Sequence, residues 1–195
     1  MFDLPTLSSN GITLKPLMLS HAIDLAEACQ DGELWKINET SVPEPDKVID
    51  YINIAESMPD RQAFVVIDEL TGKAIGTTSF HDILPFAKRL EIGYTWYAKS
   101  YWRTHVNTTC KLMLLTYIFE TLEYQTVGWR TDIGNHRSQA AIERLGAKKD
   151  GVIRGNRVRR DGVISDTVMY SLIKYEWPIV KLKLTKNLMM LTKTL

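Results

Sequence analysis

The stretch EIGYTWYAKSYWRTHVNTTCKLMLLTYIFETL, residues 91–122, decides the fold. Its first part completes an alternating segment, Leu90–Tyr97, which predicts a strand. Its last part, Lys111–Leu122, has helical spacing and is apolar on most sides, which predicts a buried helix. Another strand is predicted at Gln125–Asp132, so the three elements form a βαβ step with parallel strands. Ligands of such sheets bind at the carboxyl ends of diverging strands, here near residues 94–109.

The remaining elements surround this step without an internal repeat or a linker. Further strands are predicted from alternation or β-branched runs at Ile12–Leu17, Ala63–Ile67, Ala74–Phe80, Lys149–Val158 and Ser165–Tyr175. Further helices are predicted at Ser20–Ala28, from Asp46 onward, and at Ser138–Leu145, with Ser20 and Asp46 as N-caps. This order predicts a mixed α/β fold with one central, mostly antiparallel sheet and helices on both faces.

Length and composition favour one globular domain. The chain has 195 residues, of which 45% are hydrophobic, enough for a core without metals or disulfides. We expect one domain at residues 1–178 and a basic amphipathic tail at 179–195. No apolar run reaches the roughly 18–20 residues of a membrane helix, and the start MFDLPTLSSN does not resemble an export signal. With only two cysteines, the protein is expected to be cytoplasmic.

Charge is unevenly distributed along the chain. Residues 148–195 carry 11 Lys and Arg against 4 acids, although the whole chain has a net charge of only +1. This asymmetry suits a phosphate-bearing ligand and a cationic substrate, or simply a solvated hairpin and tail. No binding to nucleic acid is expected, because aromatic residues do not accompany the basic ones. No membrane binding is expected either, because the tail lacks an aromatic anchor.

The loop KSYWRTHVNTTCK, residues 99–111, joins the predicted strand to the buried helix. A helix N-terminus has unpaired N–H groups and the positive end of a dipole, so it favours phosphate oxygens. The polar and cationic loop residues that could contact a phosphate are Arg103, His105, Asn107, Thr108, Thr109 and Lys111. The alternative is that the polar residues only cap the helix.

Two stretches, residues 91–122 above and TDIGNHRSQAAIERLGAKKDGVIRGNRVRRDGVISDTVMYSLIKYEWP at 131–178, resemble the GCN5-related N-acetyltransferase (GNAT) superfamily. Within it, they resemble the RimJ/RimL-like branch, which is named for ribosomal-protein N-terminal acetyltransferases. The family's cofactor motif falls on Arg103-Thr104-His105-Val106-Asn107-Thr108, where Val106 and Thr108 replace small residues. The second family motif and the hairpin after it are matched by Asn135, Ser138, Ile142, Leu145, Gly146, Gly151, Arg154 and Asp166.

The resemblance implies that residues 1–178 are an N-acetyltransferase domain, an enzyme that uses acetyl-CoA as co-substrate and no metal. A primary amine, on a protein N-terminus or a small molecule, would attack acetyl-CoA directly in a ternary complex. The implied cofactor contacts are Thr95, Trp96, Arg103, Thr104, His105, Val106, Asn107, Thr108, Thr109 and Asn135. Because two small residues are replaced, a non-catalytic acyl-CoA-binding or regulatory module on the same fold is the alternative.

Glu91 is the first candidate for the general base, because many family members carry an acid on this strand that acts through water. The competing interpretation is a half-exposed strand glutamate paired with Arg89 or Lys88. His81 is the alternative base, since the pKa of a free histidine is about 6.5. Ser138 could protonate the departing sulfur, or Asn135 and Ser138 could both serve as helix-capping residues.

Several other residues have both a functional and a structural interpretation. Tyr170 and Tyr94 are rival proton donors or core residues. Trp35 lies in the irregular segment that shapes the acceptor pocket in this family, or packs in the core. Asp166 could recognise an ammonium, although bonds to arginines of its hairpin are favoured. Both cysteines are predicted to be buried thiols, and no cluster has metal-ligand spacing.

The tail mixes apolar residues with lysines and contains no acid. Val180, Leu182 and Leu184 step by two, which suits a short strand to Leu184 or a helix buried over a wide face. Because monomers rarely expose so large an apolar area, we expect the tail to pack on the domain or on a second subunit. A homodimer is the favoured arrangement.

Overall fold

A single eight-stranded sheet forms the centre of the computed structural model, which describes residues 3–192. The strands in chain order are β1 (Leu7–Ser9), β2 (Ile12–Pro16), β3 (Gln62–Asp68), β4 (Ala74–Leu84), β5 (Arg89–Tyr97), β6 (Thr126–Asp132), β7 (Lys148–Val158) and β8 (Ile164–Ile173). Their spatial order is β1-β2-β3-β4-β5-β6-β8-β7, and every neighbouring pair is antiparallel except β5 and β6. The predicted mixed, mostly antiparallel sheet is confirmed, with its parallel pair at the βαβ step.

Helices cover both faces of this sheet. The α-helices of the described residues are α1 (Ala22–Gln30), α2 (Val48–Ser57), α3 (Val106–Thr116), α4 (His136–Arg144) and α5 (Trp177–Thr192). Because side chains alternate along a strand, Phe64 and Val66 of β3 pack in the core shared with α3 and α5, whereas Val65 packs in the core shared with α1 and α2. No helix within residues 3–192 combines the length and apolar character needed to cross a membrane.

The buried helix of the βαβ step begins at Val106 rather than at Lys111 as predicted. The side chains of Val106, Thr109 and Cys110 are fully buried, so a turn that looks polar in sequence packs on the core. At its other end α3 widens into a π-helical turn, Tyr117–Thr121. The earlier start places the N-terminus of α3 inside the segment predicted to hold the cofactor.

Two predicted N-caps are wrong. Ser20 lies inside a 3₁₀ turn before α1, and Asp46 lies inside another before α2. The residues that precede the two α-helices are His21 and Lys47, and neither provides a side-chain cap. Each 3₁₀ turn already coils the chain before its α-helix begins. A capping side chain would therefore have to lie before the 3₁₀ turn, and not at Ser20 or Asp46.

Strand β1 was not predicted. It is short, and it joins β2 through a two-residue turn at Asn10 and Gly11, whose φ angles are 48° and 73°. Positive φ at both positions is the geometry that favours hairpins, and Asn-Gly is its usual sequence. The Asn-Gly pair is therefore the signal that could have revealed β1.

The tail forms the helix α5 and packs on the domain, which is one of the two predicted arrangements, but neither a short strand nor a helix buried over a wide face is correct. Its buried residues share one narrow stripe and are Trp177, Val180, Leu184 and Leu188. This stripe packs in the same core as α3, and Trp177 Nε1 and Lys181 Nζ each donate to Glu120 Oε1 at 2.7 Å. The predicted boundary after Pro178 lies inside α5, so the division into domain and tail stays a prediction. Lys193, counted in the tail's charge, lies outside the described residues.

Replacing Leu184 by Ala should destabilise the protein by about 2–5 kcal/mol, because a buried side chain is lost from the contact between α5 and the core. Leu182→Ala is the matched control, since Leu182 is 58% exposed and Leu184 only 2% exposed. It should change the free energy of unfolding by less than about 0.5 kcal/mol. Urea unfolding followed by circular dichroism measures both, and equal losses would contradict the packing of α5.

Candidate active site

The two parallel strands separate soon after they pair. Residues of β5 and β6 are in register only at Arg89–Thr126, Leu90–Val127 and Glu91–Gly128. Beyond Glu91, β5 continues to Tyr97 while β6 stays paired with β8 on its other side. This edge of β5 then has no partner strand in the part of the chain that the structure describes. The gap, which we call the β5–β6 cleft, opens at the carboxyl ends of both strands, where the ligand site was predicted.

A β-bulge lies on the β5 edge of this cleft. The register between β4 and β5 shifts between Thr77 and Ser79, so that Tyr94 and Thr95 both oppose Thr78. Tyr94 has a φ of 50°, which is uncommon for a residue other than glycine. Thr77 Oγ1 donates to Tyr94 O at 3.1 Å and holds this turn of the backbone. A bulge turns backbone groups out of the ladder, so N–H groups here can point into the cleft.

The loop before α3 forms one side of the cleft. Arg103 adopts a left-handed φ of 61°. Thr104 Oγ1 donates to Tyr101 O at 2.7 Å and accepts from Val106 N–H at 3.3 Å. These bonds fix the loop against the first turn of the helix.

Backbone N–H groups at the start of α3 are free to receive a ligand. Thr109 N–H donates to His105 O at 2.9 Å, which is the first bond along the helix. The N–H groups of Asn107 and Thr108 precede it and have no acceptor within the helix. The side chain of Val106 is buried in the core, so it does not cover these N–H groups.

The loop side chains predicted to contact the cofactor divide into two groups. Asn107 Oδ1 accepts from Tyr97 OH at 3.2 Å, and His105 Nε2 lies 3.1 Å from the Asn10 carbonyl oxygen, so both are engaged within the protein. The Thr109 hydroxyl is buried and has no hydrogen-bond partner among residues 3–192. Arg103 is exposed and forms no ion pair with the described residues, which leaves its guanidinium available.

The start of α4 forms the other side of the cleft. Asn135 Oδ1 accepts from Ser138 N–H at 3.0 Å, so Asn135 is the N-cap of α4. The Ser138 side chain is half-buried. The guanidinium carbon of Arg137 lies 3.8 Å from the centre of the Trp102 ring, and this stack bridges the two sides of the cleft.

Glu91 is buried at the closed end of the cleft, with 2% of its surface exposed. Its Oε1 accepts from Arg89 at 3.1 Å, and its Oε2 accepts from Arg130 Nε at 2.8 Å. The pairing with Arg89 is as predicted, but the half-exposed setting is wrong and Arg130 is an additional partner. Burial raises the pKa of Glu91, and the Arg89 guanidinium opposes that rise.

His81 lies directly opposite Glu91 because β4 extends to Leu84 instead of ending at Phe80. Burial and the nearby charges of Arg130 and Arg61 lower the pKa of His81 to about 4. The imidazole is therefore neutral at pH 7 and is a weak base.

His81, Asp82 and Glu91 bring possible metal-ligand atoms within 4.8 Å of one another. Arg130 pairs with both carboxylates of this group. A metal ion would meet the guanidinium charge at short range, and the two cations would repel. The group is therefore an ion-pair network and does not fit a metal.

The irregular segment at residues 37–43, which we call the strap, lies beside the start of α4, where Asn135 Nδ2 donates to Glu39 O at 3.5 Å. Asn38 Nδ2 donates to Asp161 Oδ2 at 2.9 Å, and Arg160 donates to Val42 O at 2.5 Å. The strap thus joins the α1–α2 side of the sheet to the turn between β7 and β8.

The hairpin acid Asp166 accepts from Gly155 N–H at 2.9 Å, so the predicted bonds to arginines are wrong. The arginine-bound acid is instead Asp132, which accepts from Arg159 at 2.5 and 3.0 Å. These bonds to Arg159 hold the pKa of Asp132 down at about 2. Asp166 therefore shapes its own hairpin, and Asp132 anchors the hairpin to β6.

The remaining candidates pack in the core. The Tyr170 ring is fully buried and its hydroxyl donates to Glu143 at 3.1 Å. Trp35 is half-buried against the α1–α2 core. Cys29 and Cys110 are buried thiols as predicted, and burial raises their pKa values to about 11 and about 12.

Sequence reasoning missed two arginines, the buried Arg61 and the partly exposed Arg130, and misplaced one lysine. Arg61 and Arg130 had no assigned role, and Lys111 was expected to face a phosphate but is buried under β5. Arg130 could have been found, because alternation along β6 places it on the same face as Gly128, beside Glu91. Arg61 and Lys111 carry no local signal, since their partners lie on distant strands.

Comparisons with known proteins agree with this geometry. Residues 12–148 match the family model described as "Acetyltransferase (GNAT) domain". A curated relative, "Putative ribosomal N-acetyltransferase YdaF" of Bacillus subtilis (strain 168), is 36% identical over 106 residues. That match spans about half of both proteins, 54% of this chain and 57% of YdaF.

Solved structures share the whole fold. The crystal structure of a "putative acetyltransferase" from T. thermophilus has a TM-score of 0.84 at 30% identity, covering 96% of this chain and 99% of that one. A RimL ribosomal L7/L12 alpha-N-protein acetyltransferase in complex with coenzyme A has a TM-score of 0.73 over 87% of this chain and 98% of its own. Its identity of 16% makes this second likeness one of fold alone. The family model covers well over half of the chain, and we conclude that the chain belongs to the GNAT acetyltransferase family, as its resemblance to the RimJ/RimL-like branch implied.

Proposed function

We propose that this protein transfers the acetyl group of acetyl-CoA to a primary amine. The observation that carries the proposal is the separation of β5 from β6 beyond Glu91, between the N-termini of α3 and α4. An unpaired strand edge can hydrogen-bond the amides of a pantetheine arm, and a helix N-terminus can bind its phosphates. Membership of the GNAT family supports the assignment.

The cofactor contacts in this proposal come mainly from backbone. The N–H groups of Asn107 and Thr108, at the start of α3, receive the pyrophosphate, and Arg103 adds an unpaired positive charge. The backbone of Thr95 and Trp96 pairs with the pantetheine arm, while the Trp96 ring stays packed beside Tyr51. Asn135 caps α4 through its Oδ1, and its Nδ2 donates to Glu39 O of the strap at 3.5 Å, so a cofactor contact at Asn135 comes from the start of α4 that this side chain holds in place.

Three groups then serve the chemistry. Glu91 accepts a proton from the substrate ammonium through a water, since each carboxylate oxygen keeps a lone pair beside its arginine, and the neutral amine so formed attacks the thioester carbonyl. The N–H groups of the bulge at Tyr94 and Thr95 stabilise the oxyanion of the tetrahedral intermediate. Ser138 donates its hydroxyl proton to the sulfur as the carbon–sulfur bond breaks, and it takes up in exchange the second proton that the nitrogen of the intermediate loses. The products are an acetylated amine and coenzyme A, and no metal takes part.

The acceptor in this proposal is a protein N-terminus or a small amine. The strap lies on the side of the cleft at which the acceptor would enter, and it is hydrogen-bonded to the β7–β8 turn. This closure of the entrance favours the slender end of a molecule over a broad surface. The name of YdaF points to ribosomal proteins as one source of such an end. A cytoplasmic location and a homodimer stay predictions.

Two measurements on the full chain test the proposal. Calorimetric titration with acetyl-CoA should show binding in the micromolar range, and acetyl-CoA with a panel of amines and peptides should release free thiol. Binding without thiol release from any amine would favour the non-catalytic module. No heat and no thermal shift at millimolar acetyl-CoA would contradict both.

Thr108→Pro should weaken acetyl-CoA binding at least about tenfold, because it removes a free N–H from the α3 N-terminus. Thr108→Ala keeps the N–H and should change the affinity little. Proline is tolerated in the first helical turn, and the melting temperature of each variant reports whether the fold persists. Equal affinities in the two variants would place the phosphate site elsewhere.

Glu91→Gln should lower turnover by about 10²–10⁴-fold near neutral pH and less at high pH, where the amine loses its proton unaided. Because burial raises the Glu91 pKa, the wild-type rate should fall with decreasing pH above the usual glutamate range, as the carboxylate becomes protonated. This acidic limb, set by the Glu91 carboxylate, should be absent from the pH–rate profile of the variant, whose rate should follow the ionisation of the amine alone.

Asp82→Asn is the control for Glu91→Gln, since Asp82 shares Arg130 with Glu91 but is not a candidate base. It should keep the acidic limb of the profile. If E91Q has the wild-type profile, or if D82N loses the limb as well, Glu91 is not the base.

A further inference from the structure

A lysine of α3 is buried beneath the bulge without a carboxylate to neutralise it. Lys111 is 4% exposed, and no acid lies within ion-pair distance of it among the described residues. Its Nζ donates to Thr95 Oγ1 at 2.8 Å and to Thr78 Oγ1 at 3.2 Å. The two threonine hydroxyls also hydrogen-bond each other at 2.7 Å.

This arrangement is costly for stability. An ammonium removed from water and paired only with neutral hydroxyls is destabilised relative to its exposed form. Burial accordingly lowers the pKa of Lys111 to about 8. A methionine would fill the same space without that cost, and the hydroxyls of Thr78 and Thr95 would stay hydrogen-bonded to each other. The lysine is therefore not explained by its contribution to the core.

The Lys111 ammonium is hydrogen-bonded to the bulge, which is the part of β5 that departs from regular strand geometry. Thr95 belongs to the bulge and is exposed at the edge of the cleft, so its hydroxyl connects Lys111 to the open side. On the opposite face of the sheet, the Arg61 guanidinium carbon lies 3.7 Å from the centre of the Tyr94 ring. Arg61 is itself held by Ser79 Oγ at 3.0 Å. Both residues of the bulge are thus held by a buried cation, one from each face.

A backbone turn with positive φ persists only where its surroundings hold it in place. The bulge N–H groups can stabilise an oxyanion only if their direction is fixed before the reaction. We propose that Lys111 is a positioning residue for acetyl transfer, which acts through Thr95 to fix the bulge that faces the reacting carbonyl. The proposal rests on the proposed function, and it assigns Lys111 to the chemical step and not to cofactor binding.

The test compares Lys111→Met with Leu115→Ala, a control at a buried position of the same helix. K111M should unfold at the same urea concentration as wild type or at a higher one. Its kcat should fall at least about tenfold, while KM for acetyl-CoA changes by less than about threefold. L115A should lose stability and keep kcat within about threefold of wild type at a temperature where it is folded.

A double-mutant cycle with Thr95→Val shows whether Lys111 acts through Thr95. The T95V variant should lower kcat as K111M does, and K111M/T95V should be no slower than the slower single variant. A kcat of K111M within about twofold of wild type, or effects that multiply in the double variant, would overturn the inference while leaving the proposed function intact. So would a K111M that loses stability and kcat together. A wild-type chain that releases no thiol from acetyl-CoA with any amine overturns both.

Discussion

The structure depends on one constraint, the short pairing of its two parallel strands. β5 and β6 share three register positions and then part, and everything assigned to the site lies around the resulting cleft. The closed end is filled by Glu91 and its arginines, and Gly128 is the residue that makes room for them. A Cβ at Gly128 would lie 2.6 Å from the Arg89 guanidinium and 2.9 Å from Glu91 Cγ. The ion pairs of Glu91 therefore lie at the last paired position of β5 and β6, where the cleft begins.

Charge is arranged on both faces of the sheet around this opening. Glu91 alternates with Leu90 and Ile92, which pack toward α3, so it faces the α1–α2 side with His81 and the arginines. Lys111 approaches from the α3 side and reaches the same strand a few residues later. The base candidate and the buried lysine thus lie on opposite faces of β5, and in the proposed reaction Glu91 serves the amine while Lys111 holds the bulge.

The sequence was sufficient to predict the βαβ step and the sheet type, because both follow from alternation and from one long apolar helical segment. It was also sufficient to place the cleft near residues 94–109. The start of α3 was missed because Asn107, Thr108 and Thr109 look like a polar cap, although Thr109 is buried by tertiary packing. The Asn135 cap was foreseen because capping depends on residues only three apart.

The charged partners of the site could not be predicted to the same degree. Arg130 meets Glu91 across 39 positions of chain, and Lys111 meets Thr78 across 33. Such contacts depend on which strands become neighbours and on where the bulge shifts the register. The prediction for Asp166 failed for the same reason. The register of the β7–β8 hairpin places the Gly155 N–H beside the Asp166 carboxylate, and Arg159 pairs with Asp132 instead.

The central claim is that the unpaired edge of β5 and the N-terminus of α3 together hold acetyl-CoA. Hydrogen–deuterium exchange of the backbone amides, with and without saturating acetyl-CoA, tests it directly. The account predicts slower exchange at residues 94–98 and 104–109, with little change in α2 or α5. Protection confined to other segments, or binding that protects neither stretch, would contradict the account.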